Sequence, residues 1–250
     1  YKSGRDLQRI TNWDAFDDKD DEDDAKVDQM VRIIQYLKTL PVKTVSIDKI
    51  EADDIIAYLS KSVIKHPKDK SFIISSDKDF LQLVSENVIV YRPIEKEYYT
   101  PQTVIDKYKI SPHNFILHKT LLGDNSDKIK GVKGLGEKGL LKKFPELLEK
   151  DLCWEDILNI CEKKISDHVV YARIIHGQDD LEKNYKVMDL SNPMLSNEDK
   201  EFLNEVVSSK DLSYYPDQFV TMYNEDQMGG LIRNVEFWVK DCFQNLVVKK

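Results

Sequence analysis

Between Thr44 and Tyr99 the chain alternates short β-branched runs with amphipathic helical periods, and that alternation leaves few folds open to it. Thr44-Val45-Ser46-Ile47 and Ser71-Phe72-Ile73-Ile74-Ser75 read as strands, the second of the buried type. Between them a helix is expected over residues 51–65, with Ile55, Ile56, Leu59, Val63 and Ile64 on its apolar side. A short helix over residues 80–84 follows, then two strands over 87–91 and 97–99 that read as a hairpin at a sheet edge. Strands interleaved with helices imply an α/β fold with a mainly parallel central sheet and flanking helices. Upstream, Val27, Met30, Val31, Ile34, Leu37 and Leu40 keep a helical period until Pro41 stops it. The acidic run from Asp17 to Asp24 reads as a solvated loop leading into that helix.

From Thr100 the pattern is helical only. Thr100-Pro101 and Ser111-Pro112 each offer an N-cap followed by proline at the first helical position. Further helices are expected over 137–144, within 154–176, over 197–209 behind the cap Ser196, and over 231–243. Lys186 to Leu190 reads as a brief extended return, and Tyr214-Tyr215-Pro216 as a structural corner. The expected organisation is a partial α/β core over 1–99, a helical lobe over 100–190, and a C-terminal helical segment over 191–250 packing on the core.

Acidic residues cluster where such a sheet would bind ligands, beyond the carboxyl ends of its strands. Glu51, Asp53 and Asp54 follow the first strand, and Asp77 and Asp79 follow the second. Asp124 and Asp127 open a third motif, which continues through Lys128, Lys130, Gly131, Val132, Lys133, Gly134, Leu135, Gly136 and Lys138. Acids favour helix N-termini, and that alone accounts for any one of them. Several carboxylates in one cleft need cations, because like charges at close range push each other's pKa up. Mg²⁺ or Mn²⁺ suits an oxygen-only shell, and two such ions suit phosphodiester hydrolysis.

The net charge of −8 speaks against nucleic acid in bulk, but six lysines lie between Lys128 and Lys143. A locally basic, glycine-rich turn between two helices is expected to grip DNA phosphates through its lysines and exposed amides. The three cysteines are odd in number and lack metal-ligand spacing, so reduced thiols in a cytoplasmic setting are expected. No apolar stretch has the length of a membrane span, and no membrane partner is expected. The five histidines form no ligand pair. Trp13, Trp154 and Trp238 read as packing groups. His113 and Lys119, near the turn, are weaker candidates for phosphate contact.

Taken in order, Glu51-Ala52-Asp53-Asp54, Ser76-Asp77-Lys78-Asp79 and the run from Gly123 to Gly136 resemble the signatures of the 5′-nuclease superfamily, over about residues 1–190. That superfamily includes flap endonucleases, tailed-phage 5′-exonucleases, phage RNase H and the 5′-nuclease domain of bacterial DNA polymerase I. The resemblance implies a first metal held by Glu51, Asp53 and Asp54, and a second held by Asp77, Asp79, Asp124 and Asp127. It implies a helix–three-turn–helix over Gly131–Gly136, with a K⁺ ion on its carbonyls. It also implies that Tyr1-Lys2-Ser3-Gly4-Arg5 begins a helical arch, in which Lys2 and Arg5 meet the scissile phosphate. The expected substrates are DNA with 5′ flaps, nicks or branches, and RNA–DNA hybrids. The expected protein is a monomer working beside replication proteins, in a host's cytoplasm if phage-encoded. The family's first aspartate-bearing strand has no counterpart after Tyr1, which implies that an N-terminal segment precedes this sequence. The rival readings are a catalytically silent DNA-junction binder, a PIN-type ribonuclease, and a helical interaction protein with solvated acids.

Overall fold

The structure is a computed structural model that describes residue 15 and residues 18–124, 128–209 and 212–247. Its elements begin with α1 (Lys19–Thr39), α2 (Ala52–Ser62), β1 (Ser71–Ile74), β2 (Val88–Arg92) and β3 (Glu97–Tyr99). There follow α3 (Pro101–Tyr108), α4 (Phe115–Leu122), β4 (Gly123–Asp124), β5 (Ile129–Lys130), α5 (Glu137–Lys143), α6 (Trp154–Lys163) and α7 (Val169–His176). The last are α8 (Gln178–Met188), α9 (Asn197–Ser208), α10 (Pro216–Glu225) and α11 (Val235–Phe243). The chain divides into two compact units, residues 47–201 and residues 1–46 with 202–250. That division differs from the expected boundaries at 99 and 190: the sheet and the helical lobe share one unit.

The sharing has a physical cause, a continuous core. From Ala57 through Ile73, Leu81, Val90, Leu117, Leu140, Ile157 and Ile174 to Leu190, buried side chains form one cluster. The sheet is small. β1 pairs with β2 in parallel, Ser71 opposite Val88, and β2 pairs with β3 antiparallel, Val90 opposite Tyr99. The edge hairpin is therefore as expected, and α2 packs on β1. The expected strand at Thr44–Ile47 makes no ladder among the described residues and has no regular secondary structure. Phe72, Ile74 and Tyr98 stand exposed on the outer face of the sheet, with Phe72 and Tyr98 in edge-on contact.

Helix starts follow local capping. The Thr100 hydroxyl accepts from the Thr103 N–H and Pro101 opens α3. Ser111-Pro112 instead forms a turn, and α4 begins only at Phe115. The reason is Asn114, fully buried, whose amide donates to the carbonyls of Leu147 and Lys150 while its oxygen accepts from the Leu152 N–H. Three saturated bonds fix the start of α4 against the loop after α5, and they take Asn114 out of the helix. Lys186–Met188 belongs to α8 rather than to an extended return.

Two glycines close the end of α4. Gly123 has φ +82° and its N–H donates to the Lys119 carbonyl, ending the helix. The chain then returns through β4 and β5, Gly123 opposite Lys130, until the Val132 N–H reaches the Leu121 carbonyl at 2.8 Å. A Cβ on Gly131 would lie 2.1 Å from the Leu122 carbonyl carbon, and one on Gly123 would lie 2.3 Å from the Gly131 nitrogen. Backbone meets backbone here, so neither side can yield.

In the other unit, α1 begins at Lys19, inside the acidic run expected to be a loop. The Asp18 side chain accepts from the Asp21 N–H, and acids fill the first turn, where the helix dipole favours them. Glu22 is buried between the ammonium groups of Lys19 and Lys26, at 3.1 and 3.3 Å. Val27, Met30, Val31 and Ile34, expected on a buried face, are exposed, whereas the end of α1 is packed. There Leu40 and Tyr36 meet Phe219, Tyr223 and Trp238. Arg32 makes a two-pronged pair with Asp226, which also accepts from the Tyr36 hydroxyl at 2.7 Å. Tyr214-Tyr215-Pro216 is a corner that also starts α10, with the Tyr215 N–H bonded to the Thr39 carbonyl.

Replacing Gly131 with Ala should cost about 3 kcal/mol or more, by the overpacking argument. Gly139→Ala, inside α5 with only the Leu135 methyl at 3.7 Å, should stabilise by about 0.5–1 kcal/mol. Urea unfolding of both variants checks the pair; equal effects would remove the backbone-contact argument.

Candidate active site

A cleft of about 780 Å³ opens beyond the end of β1 and beside α4. Asp77, Asp79 and Asp124 line it, together with Lys78, Arg92, Tyr108, His118 and Lys119. Asp77 folds the approach: its Oδ1 accepts from the Asp79 N–H at 2.9 Å, and its own N–H donates to the Ser75 hydroxyl. That turn leads straight into a 3-10 helix over Asp79–Leu83, where Phe80, Leu81 and Leu83 are buried. The buried residues anchor the turn, so the Asp79 carboxylate is held at the mouth of the core.

The opposite wall comes from α4, whose sequence Phe-Ile-Leu-His-Lys-Thr-Leu-Leu is apolar except near its middle. Lys119 is 7% exposed there. A buried ammonium needs acids, and it has two. Its Nζ donates to Asp79 Oδ1 and lies 2.7 Å from Asp124 Oδ2. Both carboxylates are largely buried themselves. Burial pushes the Asp79 carboxyl up to about 6; the Lys119 ammonium opposes this, and the negative charges of Asp77 and Asp124 add to it. Burial alone would lower the Lys119 pKa, but the two carboxylates outweigh it and hold the ammonium above its ordinary value. Both groups are shifted upward, as expected when two carboxylates share one ammonium. Two anions face one cation, which holds the ammonium charged and leaves the group an anion in excess.

His118, next to Lys119, is stacked on Phe115 with ring centroids 5.6 Å apart. Burial lowers its pKa, against the pull of Glu137. Its Nε2 lies 3.7 Å from Glu137 Oε1 and, among the described residues, has no hydrogen-bond partner, nor does the Nε of Arg92. Arg92 spends its other nitrogens on Glu95 at 2.7 Å and on the Ser76 carbonyl at 2.7 Å. It thereby ties β2 to the turn that carries Asp77.

The expected metal ligands are divided. Asp77, Asp79 and Asp124 line one cleft. Glu51, Asp53 and Asp54 occupy the start of α2 and do not line it. Asp54 accepts from the Met194 N–H at 2.8 Å, and Glu51 occupies the N-cap position of the helix. Asp127, Lys2 and Arg5 lie outside the described residues. Among the described residues no three His, Cys, Asp or Glu side chains gather closely enough to hold a metal ion. The pair that does gather, Asp79 and Asp124, already shares a cation in Lys119. Mg²⁺ commonly binds through one or two carboxylates, with water and phosphate completing its shell. The oxygen-only donors and their excess negative charge fit such an ion.

The glycine turn adjoins this cleft through Gly123 and Asp124. Lys128, Lys130, Lys133 and Lys138 are exposed, as are Gly134 and Gly136. Val132 and Leu135, expected to contact DNA, have buried side chains, so they anchor the turn and offer only backbone outward. The Arg173 guanidinium, from α7, donates to the Lys133 carbonyl at 2.7 Å and braces the turn from behind. The sequence reading did not single out Arg92, His118 or Arg173. It placed Lys119 near phosphate rather than between two acids, although a lysine in an apolar helix five residues before Asp124 is a signal for a buried ion pair.

The chain is similar to several known proteins. The family model for the 5′-3′ exonuclease N-terminal resolvase-like domain matches residues 1–109. Over those residues the chain is similar to 5′-3′ exonucleases. It is 35% identical over 165 residues to a 5′-3′ exonuclease of Aquifex aeolicus (strain VF5), covering 65% of this chain and 53% of that one. It is 37% identical over 143 residues to a 5′-3′ exonuclease of Buchnera aphidicola subsp. Acyrthosiphon pisum (strain APS), covering 56% and 47%. The chain thus spans about half the length of the curated relatives it matches. A flap endonuclease of bacteriophage T5, solved as a pseudo-enzyme–product complex with DNA and metal ions, has a TM-score of 0.57. That match covers 87% of this chain and 73% of the other at 19% identity. The small sheet with many helices is the resolvase-like 5′-nuclease fold.

The Asp79 shift makes a stability prediction for the metal-free protein. A carboxyl whose folded pKa is raised contributes stability fully below its unfolded pKa near 4, and loses it as pH rises through about 6. Asp79→Asn should therefore exceed the wild type at pH 7.5 by on the order of 1–2 kcal/mol, after discounting for residual solvent contact. Urea unfolding in EDTA at pH 7.5 and 4.5 reads this; a gap of the same size at both values would contradict the assignment.

Proposed function

We propose that this chain belongs to a divalent-metal-dependent, structure-specific 5′ nuclease that hydrolyses phosphodiesters at DNA 5′ ends and flaps. The observation that carries the reading is the convergence of Asp79 and Asp124, with Asp77 beside them, on one cation position directly before the lysine-studded glycine turn. A bound divalent ion supplies Lewis acidity toward a phosphodiester and a nucleophile from water at neutral pH. Asp79 and Asp124 would hold the ion, and the Asp77 turn would keep Asp79 in place. Mg²⁺ is the proposed ion, with Mn²⁺ able to replace it. The second of two ions would draw on Glu51, Asp53 and Asp54.

Lys128, Lys130, Lys133 and Lys138 would bind phosphates of the duplex without reading bases, as exposed cations around open backbone do. The carbonyls of the glycine turn would hold K⁺. Lys2 and Arg5 would stabilise negative charge on the scissile phosphate. The proposed substrates are 5′ flaps, nicked or branched DNA, and RNA–DNA hybrids met in replication and repair, acted on by a monomer. The relatives named as 5′-3′ exonucleases and the T5 flap endonuclease seen with DNA and metal ions support this reading.

Cleavage of a 5′-labelled flap duplex in Mg²⁺ tests it. Asp79→Asn should lose at least about a hundredfold in rate while flap binding stays within about threefold, and EDTA should abolish wild-type cleavage. Flap binding by the wild type without any cleavage in Mg²⁺ or Mn²⁺ would turn the assignment into a junction-binding protein. Lys133→Ala and Lys138→Ala should each weaken duplex binding and lower its log-log salt slope by about one. An unchanged slope in both would take the turn out of the interface.

A further inference from the structure

The ammonium of Lys119 stands where the site chemistry calls for a metal ion. It is bonded to Asp79, lies 2.7 Å from Asp124, and is nearly sealed from solvent. An ion held by the same two oxygens, Asp79 Oδ1 and Asp124 Oδ2, would sit about 2.0–2.1 Å from each, and it cannot share the space between them with an ammonium. The two cations therefore exclude each other.

We propose that Lys119 is a tethered counter-cation of the site: it neutralises Asp79 and Asp124 in the ion-free protein and is displaced when a divalent ion binds. The proposal rests on the reading of Asp79 and Asp124 as ion-holding residues. Three further observations carry it. First, two carboxylates with one ammonium leave a net negative charge, which a divalent ion removes and a lysine does not. Second, the lysine stem is a flexible four-carbon chain, and the cleft of about 780 Å³ that it lines gives the ammonium somewhere to go. Third, the backbone that carries the carboxylates is fixed without it. Asp79 is set by the Asp77 turn and the buried residues after it, and Asp124 by its ladder with Ile129. Departure of Lys119 leaves that backbone in place.

Lys119 in this role is a positioning residue. It keeps the acids from repelling each other before the ion arrives, at the expense of weaker ion binding. It also sets a threshold ion concentration for loading.

Two measurements on the full chain test this. Mn²⁺ binding, read by electron paramagnetic resonance of the free ion, should tighten roughly tenfold in Lys119→Met, a change of about 1.4 kcal/mol. The methionine keeps the apolar stem and removes the competing charge. In the wild type, acylation of Lys119 by an amine-reactive reagent, followed by mass spectrometry, should be slow in EDTA and at least about fivefold faster in Ca²⁺ or Mn²⁺, because the displaced ammonium meets solvent. The second measurement needs no variant and decides the matter if Lys119→Met does not fold. Unchanged or weaker Mn²⁺ affinity in a folded variant overturns the proposal, as does a Lys119 that reacts no faster with the ion than without it. A wild type that binds no divalent ion overturns the underlying reading of the site instead.

Discussion

The contact on which most of this structure turns has no side chain in it. Gly123 and Gly131 bring two stretches of backbone within touching distance at the end of α4, where any Cβ would collide with a peptide group. That contact ends the helix, reverses the chain through β4 and β5, and returns Val132 to the Leu121 carbonyl. Asp124 is thereby turned toward Lys119, one helical turn back, and so toward Asp79, which the chain reached forty residues earlier. The same reversal points the lysines of the turn outward while Val132 and Leu135 are driven into the core. Carboxylate pair and basic turn are two products of one steric condition.

The electrostatic consequence is a site that is never at rest as a set of bare acids. Carboxylates at the edge of an apolar core cost free energy when charged, and the chain meets that cost with a lysine placed among leucines and isoleucines. The balance remains short by one charge. A site of this kind favours a hard cation with more than one positive charge, and it does so by composition rather than by a preformed cage. The Arg92 link between β2 and the Ser76 carbonyl adds rigidity to the acidic turn without adding a ligand.

Much of the unit from Ile47 to Glu201 was legible in the sequence. The strands at Ser71–Ile74 and Val88–Arg92, the edge hairpin, the capped start of α3 and the glycine turn all follow from local patterning, because the interactions that specify them are local. The acidic clusters were legible as types and only partly as places. Asp77 and Asp79 follow a strand and arrive at the cleft. Glu51, Asp53 and Asp54 are set by α2, and Asp54 is engaged with the Met194 backbone. Thr44–Ile47 has the composition of a strand, but strand formation needs a partner, and composition cannot supply one. Asn114 looked like a helix residue and became a buried linker, because its partners at Leu147, Lys150 and Leu152 are distant in sequence. The start of α1 was misjudged for the opposite reason: a run of acids reads as solvated, yet Asp18 and the pairs with Lys19 and Lys26 make it a sound helix opening.

The bracing of the glycine turn by α7 carries a consequence for how such a turn varies. The Arg173 guanidinium that holds the Lys133 carbonyl is also the group a methyl at position 134 would meet, at 3.0 Å, and Gly134 has φ +81°. Positions 134 and 173 are therefore one unit of change. A side chain at the first asks both for a left-handed backbone and for a shorter neighbour at the second. Shortening the neighbour in turn releases the carbonyl that shapes the loop. Substitutions tolerated at either site should then come in matched pairs, with α7 recording in its own sequence what the glycine turn is allowed to become.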